Sequence, residues 1–424
     1  MEFHFLHAAD IHLDSPLRGL ADYEGAPVEQ FRNATREAFR NLVNHAIDTR
    51  AAFVVIAGDL YDGDWPDFST GLFLVKELER LNQANIRVAI LFGNHDAENR
   101  ITKSLPWPSN AQRFNYRKPS TIEYEDLAVA LHGQSFPRMD VTENLVDNYP
   151  APSRDRLNIG VLHTALEGNA RHASYAPCSL SQLVNRGYAY WALGHVHGYD
   201  ILNRDPWVVF PGNLQGRHIR ETGAKGCVSV SVRDGQIVNV ERVILDVVRW
   251  IDIEVDVSGL GELQAIKTKC GEAIRKTVAE DADGKPAAVR VRVVGQTAAH
   301  SDLMAGRDQF EAELQATMLG LRDCWLESLK ILTVPSAELN LAGAGEASNL
   351  LAALLTNADS NPDLKRSLEE SLRPLLEKLP AELGLGSKAD EIEESPLLTA
   401  LRAKDISTLI REVLPDLSGL HGTE

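Results

Sequence analysis

The sequence predicts an α/β fold. Through residue 250, short apolar runs of strand length alternate with longer amphipathic runs of helical length, the wiring of a sheet with helices packed on it. With 424 residues, 44% of them apolar, the chain can bury a core in each of two or three domains, which excludes disorder throughout. After residue 249 the order of the runs changes, which marks a boundary.

The first domain, residues 1–248, reads in order as a strand over 3–8, a helix over 28–49, a strand over 53–57, a helix over 69–82 and a strand over 87–92. Further strand-length runs lie at 128–132, 157–162, 188–193, 207–210, 226–233 and 237–244, with Asp234-Gly235 as a hairpin turn between the last two. Parallel strands are expected first and a more antiparallel second half after them. Residues 249–335 read as a small α/β capping domain: strand 250–257, helix 260–280, strand 287–295, helix 307–321, strand 324–332. A Gly/Ala stretch at 341–345 then opens a helical tail, 336–424, periodic at 350–355, 364–379 and 397–414 and hinged at 383–390.

Charge narrows the function. The chain carries 43 Lys+Arg against 60 Asp+Glu, a net −17, with most of the excess in the C-terminal parts. A free-standing coat for nucleic acid or anionic lipid needs a basic face, so that class is excluded, while an enzyme or assembly subunit stays open. Cys178, Cys227, Cys270 and Cys324 are too widely spaced for a zinc knuckle or a disulfide framework and read as buried thiols in a reducing compartment. The first ten residues lack the features of an export signal, which points to the cytoplasm. No apolar stretch approaches the roughly 20 residues that span a bilayer.

Five strand-length runs each end in metal-binding residue types: Asp10 and His12; Asp59 and Asp62 after Gly58; Asn94, His95 and Asp96 after Gly93; His163; and His195 and His197 after Gly194. In an α/β sheet the carboxyl ends of strands line the ligand crevice, so residues spread over nearly the whole domain can meet there. Oxygen and nitrogen donors without sulfur suit Mn²⁺, Fe, Zn²⁺ or Mg²⁺ at open sites. Two ions are the natural count, because two carboxylates leave such a pair net positive and attractive to a phosphate diester.

In pattern and order these residues resemble the calcineurin-like metallophosphoesterases: Asp-x-His, Gly-Asp-x-x-Asp, Gly-Asn-His-Asp, His, Gly-His-x-His. The resemblance implies a two-sheet β-sandwich flanked by helices, which composition alone does not distinguish from an open sheet. It implies that Asp10, His12 and His197 bind one metal, that Asn94, His163 and His195 bind the other, and that Asp59 bridges both. His95 is then the catalytic histidine that is not a ligand, placed to stabilise the transition state or protonate the leaving oxygen. The cofactor implied is two divalent ions, Mn²⁺ first. The opening His7-Ala-Ala-Asp-Ile-His-Leu-Asp-Ser-Pro-Leu17, with 175–180 and 211–223, is similar to the DNA-repair exonuclease branch, the SbcD nuclease subunits, and more closely to their YhaO-like relatives. That likeness implies a DNA phosphodiesterase, an exonuclease or endonuclease whose C-terminal helices dock an SbcC-like coiled-coil ATPase, and a possible homodimer. A small-nucleotide phosphoesterase and a mainly structural ATPase-docking subunit are the alternatives.

Other residues read more plainly. Asp62 and Asp96 are expected to orient the donors rather than ligate, and His7 to be a satisfied strand histidine. His172 reads as a surface residue. Arg217, His218, Arg220 and Lys225 fit either a phosphate-positioning cluster or a solvated loop. Arg113, Arg117 and Lys118, interleaved with Phe114 and Tyr116, read as an ordinary strand entry rather than a single-strand binding patch.

Overall fold

The structure, a computed structural model, describes residues 1–15, 33–62, 68–97, 105–166, 175–321 and 323–336. His172 and the expected tail helices lie outside the described residues.

The strands of the first half are β1 (Glu2–Ala8), β2 (Phe53–Ala57), β3 (Arg87–Leu91), β4 (Ala111–Arg113), β5 (Ser120–Tyr124), β6 (Val129–Gly133) and β7 (Leu157–His163). They are followed by β8 (Tyr190–Gly194), β9 (Asp200–Arg204), β10 (Trp207–Phe210), β11 (Gly226–Arg233) and β12 (Gln236–Ile244). Two six-stranded sheets result, in the orders β12-β11-β1-β2-β3-β4 and β5-β6-β7-β8-β10-β9. Alternation decides what each face does. In the first sheet Phe5, Phe53, Val55, Ala57, Ala89 and Leu91 point to the second, where they meet Leu131, Ile159, Val161, Tyr190, Ala192 and Val209 in one apolar core. Phe5 stacks on Phe53 with ring centroids 4.7 Å apart and meets Tyr190 edge-on at 5.5 Å.

The residues between them, Leu6, Ala8, Val54, Ile56, Val88 and Ile90, face two helices, α1 (Ala34–Thr49) and α2 (Phe68–Gln83). Helix α1 buries Ala38, Phe39, Leu42, Val43 and Ala46, the i, i+4 stripe of an amphipathic helix. It stops at Arg50, whose left-handed backbone (φ 57°) lets its N–H reach the carbonyls of Ala46 and Ile47 and turns the chain into β2. The outer face of the second sheet, with Leu162, Trp191, Leu193, Val208 and Phe210, is covered by Phe136, Tyr149, Tyr188 and Leu183, the last from the short helix α3 (Leu180–Val184). Helix α3 starts at a capping box, with Ser179 and Gln182 satisfying each other's backbone N–H groups.

The more antiparallel second half is found at β9, β11 and β12 and not in the middle of the second sheet. β6, β7, β8 and β10 run parallel, and only the edges β5 and β9 oppose them. β6, β7 and β8 are buried along their whole length, as strands covered on both faces must be. The antiparallel pair is β11 and β12, which returns to the first sheet beside β1 through the Asp234-Gly235 turn, both residues at positive φ. The short polar strands β4, β5 and β9 have no apolar run to announce them.

Further along lie β13 (Arg249–Asp256), α4 (Leu263–Asp281), β14 (Ala287–Thr297), α5 (His300–Ala305), α6 (Arg307–Leu319) and β15 (Cys324–Pro335), with strand order β13-β14-β15. The chain divides into two compact units. Met1–Ile253 with Gly271–Val291 and Leu314–Leu329 forms the first, and Glu254–Cys270, Arg292–Glu313 and the segment from Lys330 belong to the second. In the second, Arg292 pairs with Glu254 at 2.7 Å and Lys267 with Glu313 at 2.7 Å. All four cysteines are buried, as expected, and no helix among the described residues is long and apolar enough to cross a membrane.

Candidate metal centre

The five polar strand ends meet. Asp10 and His12 follow β1, Asp59 follows β2, Asn94 and His95 follow β3, His163 ends β7, and His195 and His197 follow β8. The strands deliver these side chains by leaving ordinary backbone geometry: Asp10 (φ 50°), His12 (φ 45°), Asp59 (φ 52°) and His195 (φ 99°) all have positive φ. Such residues cost energy in isolation and cluster where the surrounding structure and function require them. Glycines make the room. A Cβ on Gly58 would lie 2.2 Å from His163 Nδ1, and one on Gly194 would lie 1.9 Å from the carbonyl of Ala57.

Two donor clusters lie side by side. Asp10, His12 and His197 form one group able to hold a cation, and Asp59, His163 and His195 form another. Asp59 Oδ2 lies 3.3 Å from His163 Nε2 and 3.9 Å from His12 Nε2, so it stands between them. Asn94 Oδ1 adds to the second group, 2.9 Å from His163 Nε2. His12, Asp62 and His95 make a third grouping, in which Asp62 faces the Nδ1 atoms of both rings, at 3.5 and 3.2 Å. Asp62 therefore orients the two histidines, and it also accepts from Ser15 Oγ at 2.7 Å.

The polarity of these contacts fits cations. His163 Nδ1 faces the carbonyl of Ala57 at 3.0 Å and donates to it, while Nε2 faces two more acceptors, Asn94 Oδ1 and Asp59 Oδ2. His197 Nδ1 faces Glu221 Oε1 at 2.7 Å, and its Nε2 meets His12 Nε2 at 3.2 Å. Two ring nitrogens brought this close can both be turned to one ion. The charges agree. Burial opposes a proton on His163, but Asp59 and Asp10 raise its pKa to about 9, so positive charge is drawn to this spot. Burial raises Asp10 and also works to raise Asp59, but His163, His95 and His12 hold Asp59 far below the usual carboxylate range. Burial, with help from Arg217, pushes His12 down to about 3, which keeps that ring a neutral donor.

His95 is differently placed. Its ring is 36% exposed, its Nδ1 lies 3.2 Å from Asp62, and its backbone N–H donates to Asp59 Oδ1 at 3.1 Å. Burial lowers its pKa, but the Asp62 hydrogen bond and the Asp59 charge raise it above the ordinary histidine value. Asp96 is buried and accepts from the N–H groups of Leu60, Tyr61 and Gly93, so it ties two of the polar strand ends together. Burial, with the Asp59 charge, raises its pKa to about 7. His7 is a satisfied core histidine, between Tyr190 Oη and the carbonyl of Leu193, each at 3.0 Å.

The loop after β10 is not solvated throughout. Arg217 is only 13% exposed and lies between two carboxylates, with Nη2 2.9 Å from Glu221 and Nη1 3.6 Å from Asp62. Lys225 is buried and donates to the carbonyl of His197 at 3.0 Å. Only Arg220 is exposed in the manner of a solvated loop. Glu221, which sequence reasoning passed over, is the acceptor at the centre of this loop. The one local signal for it is an acid four residues after Arg217 inside the segment 211–223. Of the second basic patch, Phe114 is buried, while Arg113 and Arg117 lie over the rings of Trp107 and Tyr116.

Comparison with known proteins agrees with this geometry. The family described as "Calcineurin-like phosphoesterase" matches residues 3–199, and "Metallophosphoesterase YhaO, middle domain" matches residues 250–334. The "Uncharacterized metallophosphoesterase YhaO" of Bacillus subtilis (strain 168) is 33% identical over 295 residues, covering 69% of this chain and 71% of that protein. Among solved structures, a dimetal phosphatase from Danio rerio is similar over 57% of this chain and 99% of its own, with 13% identity and a TM-score of 0.32. GAP50, the anchor in the inner membrane complex of Plasmodium, is similar over 57% of this chain and 89% of its own, with 12% identity and a TM-score of 0.31.

Proposed function

We propose that this chain, which belongs to the calcineurin-like metallophosphoesterase family, is a phosphodiesterase that acts on DNA with two divalent ions, Mn²⁺ first. The observation that carries the reading is the placement of His95: a partly exposed ring held at Nδ1 by Asp62, beside Asp59, whose Oδ2 lies within 3.9 Å of a histidine of each donor cluster. When bound, the ions supply the positive charge that draws in a phosphate and lowers the pKa of a water at the site. The chain's own residues do the rest. Asp10, His12 and His197 hold one ion, Asn94, His163 and His195 the other, and Asp59 both. His95, its Nδ1–H on Asp62, presents Nε2 to the sugar oxygen and gives it a proton as the ester bond breaks. Mn²⁺ suits a set with two histidines per ion better than Mg²⁺, which prefers oxygen.

DNA as substrate is supported by the likeness of residues 7–17 and 211–223 to the SbcD nuclease subunits. The net charge of −17 bears on how the DNA is gripped, because counterion release needs a basic surface. That surface is proposed to come from an SbcC-like coiled-coil ATPase docked on residues 336–424, with a homodimer as the other assembly. The test strips the full chain with a chelator, reloads it with Mn²⁺ or Mg²⁺, and supplies a generic phosphodiester, labelled single- and double-stranded DNA, and free nucleotides, with and without the ATPase. Diester and DNA cleavage restored best by Mn²⁺ is expected. Turnover of free nucleotides with DNA untouched in every mixture would overturn the DNA reading in favour of a small-nucleotide phosphoesterase.

A further inference from the structure

We propose that Glu221 is a positioning residue that sets the His197 ring as a donor for one of the two ions and leaves the other ion's donors unaffected. The inference rests on the two-ion reading above and adds a residue to it from outside the five polar strand ends.

Glu221 is 6% exposed, and both of its oxygens are engaged. Oε1 accepts from His197 Nδ1 at 2.7 Å and from Arg217 Nη2 at 2.9 Å, while Oε2 accepts from the Arg217 backbone N–H at 2.7 Å and from Asn213 Nδ2 at 2.9 Å. A carboxylate held by four donors has no freedom to swing. His197 Nδ1 has Glu221 Oε1 at 2.7 Å and Arg217 Nη2 at 3.4 Å, so the nearer acceptor oxygen keeps the His197 proton on Nδ1 and turns Nε2 toward His12 Nε2, 3.2 Å away. The backbone is fixed from the same loop, since Lys225 Nζ donates to the His197 carbonyl at 3.0 Å. A bridge at Ala9 and Asn213 brings the loop beside Asp10.

The effect has a direction. The Nδ1 partner of His163, in the other donor cluster, is the main-chain carbonyl of Ala57, which no side-chain substitution removes. Changing residue 221 should thus reach one cluster and spare the other. A rival account makes Glu221 only the counter-ion of buried Arg217. On that account its loss lowers stability and leaves the ion affinities equal to those of the parent.

The experiment titrates metal-free full chain, parent and Glu221→Gln, with Mn²⁺, following free Mn²⁺ by its paramagnetic resonance signal, and repeats the titration with Co²⁺ by absorption. The parent should take up two equivalents. In the variant one step should weaken by about 10- to 100-fold, the usual cost of losing a carboxylate behind a ligand histidine, and the other should stay within about twofold. Two unchanged steps, or two steps weakened equally, overturn the proposal. Should that variant lose its native circular dichroism, Glu221→Asp, which keeps the charge near Arg217 and draws the carboxylate back from His197 Nδ1, decides by the same titration. One weakened step upholds the proposal, and two unchanged steps overturn it. Failure of the parent to take up two ions defeats the two-ion reading and the proposal with it, whereas normal uptake with an unaltered variant defeats the proposal alone.

Discussion

His163 and His197 belong to the same candidate metal centre, yet one is held by main chain and the other by a side chain. His163 stands in a slot where the Ala57 carbonyl takes its Nδ1 proton at 3.0 Å and where Gly58 and Gly194 leave no room for a Cβ. His197 depends on Glu221, 24 residues further on, in a loop that has to fold back before the ring has a partner. The first arrangement is built into the strand ends themselves. The second is added by tertiary structure, and so it is the one that a substitution far from the polar strand ends can tune.

Asp59 lies within 3.9 Å of a histidine of each cluster, and the proposed function gives it to both ions. Asp59→Asn should remove metal from both sides together and lower phosphodiesterase turnover by more than the roughly 10- to 100-fold expected for a residue behind a ligand. His95→Ala should keep both ions and lose about 10²–10⁴ in rate, the span of general acid catalysis. Metal analysis beside a diester assay separates the two variants. Metal loss in the His95 variant as complete as in Asp59→Asn would remove His95 from its catalytic role.

A smaller effect tests the main-chain side alone. Gly194→Ala places a Cβ 1.9 Å from the Ala57 carbonyl and 2.9 Å from His163 Nδ1, so the slot has to open. A loss of about 1–3 kcal/mol is expected in denaturant unfolding, with one ion step weakened, the step that Glu221→Gln leaves alone. Native stability in Gly194→Ala would mean that the slot is looser than its contacts imply.

The smallest effect concerns a histidine that takes no part in the comparison. His7 lies on β1, three residues before Asp10, and faces the sandwich core, where burial pushes its pKa down to about 3. The sign follows from the unfolded chain, in which the ring takes up a proton below its ordinary value near 6.5 while the folded protein does not. Stability is therefore full above that value and falls as pH drops toward 3. Between pH 6 and 4, approximately, His7→Gln should make the fall shallower by about one proton. Unfolding curves at several pH values measure it, and an unaltered slope would show that His7 charges inside the fold.

The five polar strand ends are legible in the sequence because each is local: an apolar run, a small residue, then donors. Asp10, His12, Asp59, Asn94, His95, His163, His195 and His197 could be picked out without coordinates, and so could the β2 strand, from its unbroken apolar run. Glu221 could not, since no spacing ties it to His197, and Arg217 read equally well as a solvated residue until two carboxylates were found around it.

Strand direction was settled above the level of sequence as well. An apolar run specifies that a strand is buried on both faces, and it says nothing of which neighbour it pairs with or which way that neighbour runs. β6, β7 and β8 thus look like any buried strands until pairing makes them parallel. The sequence by itself determined where strands lie and which donors stand at their ends, because both depend on residues adjacent in the chain. Only the tertiary structure decided the sheet order, the place of Asp59 near His12 and His163, and the contact of Glu221 with His197, because each depends on groups that meet through space after long loops close.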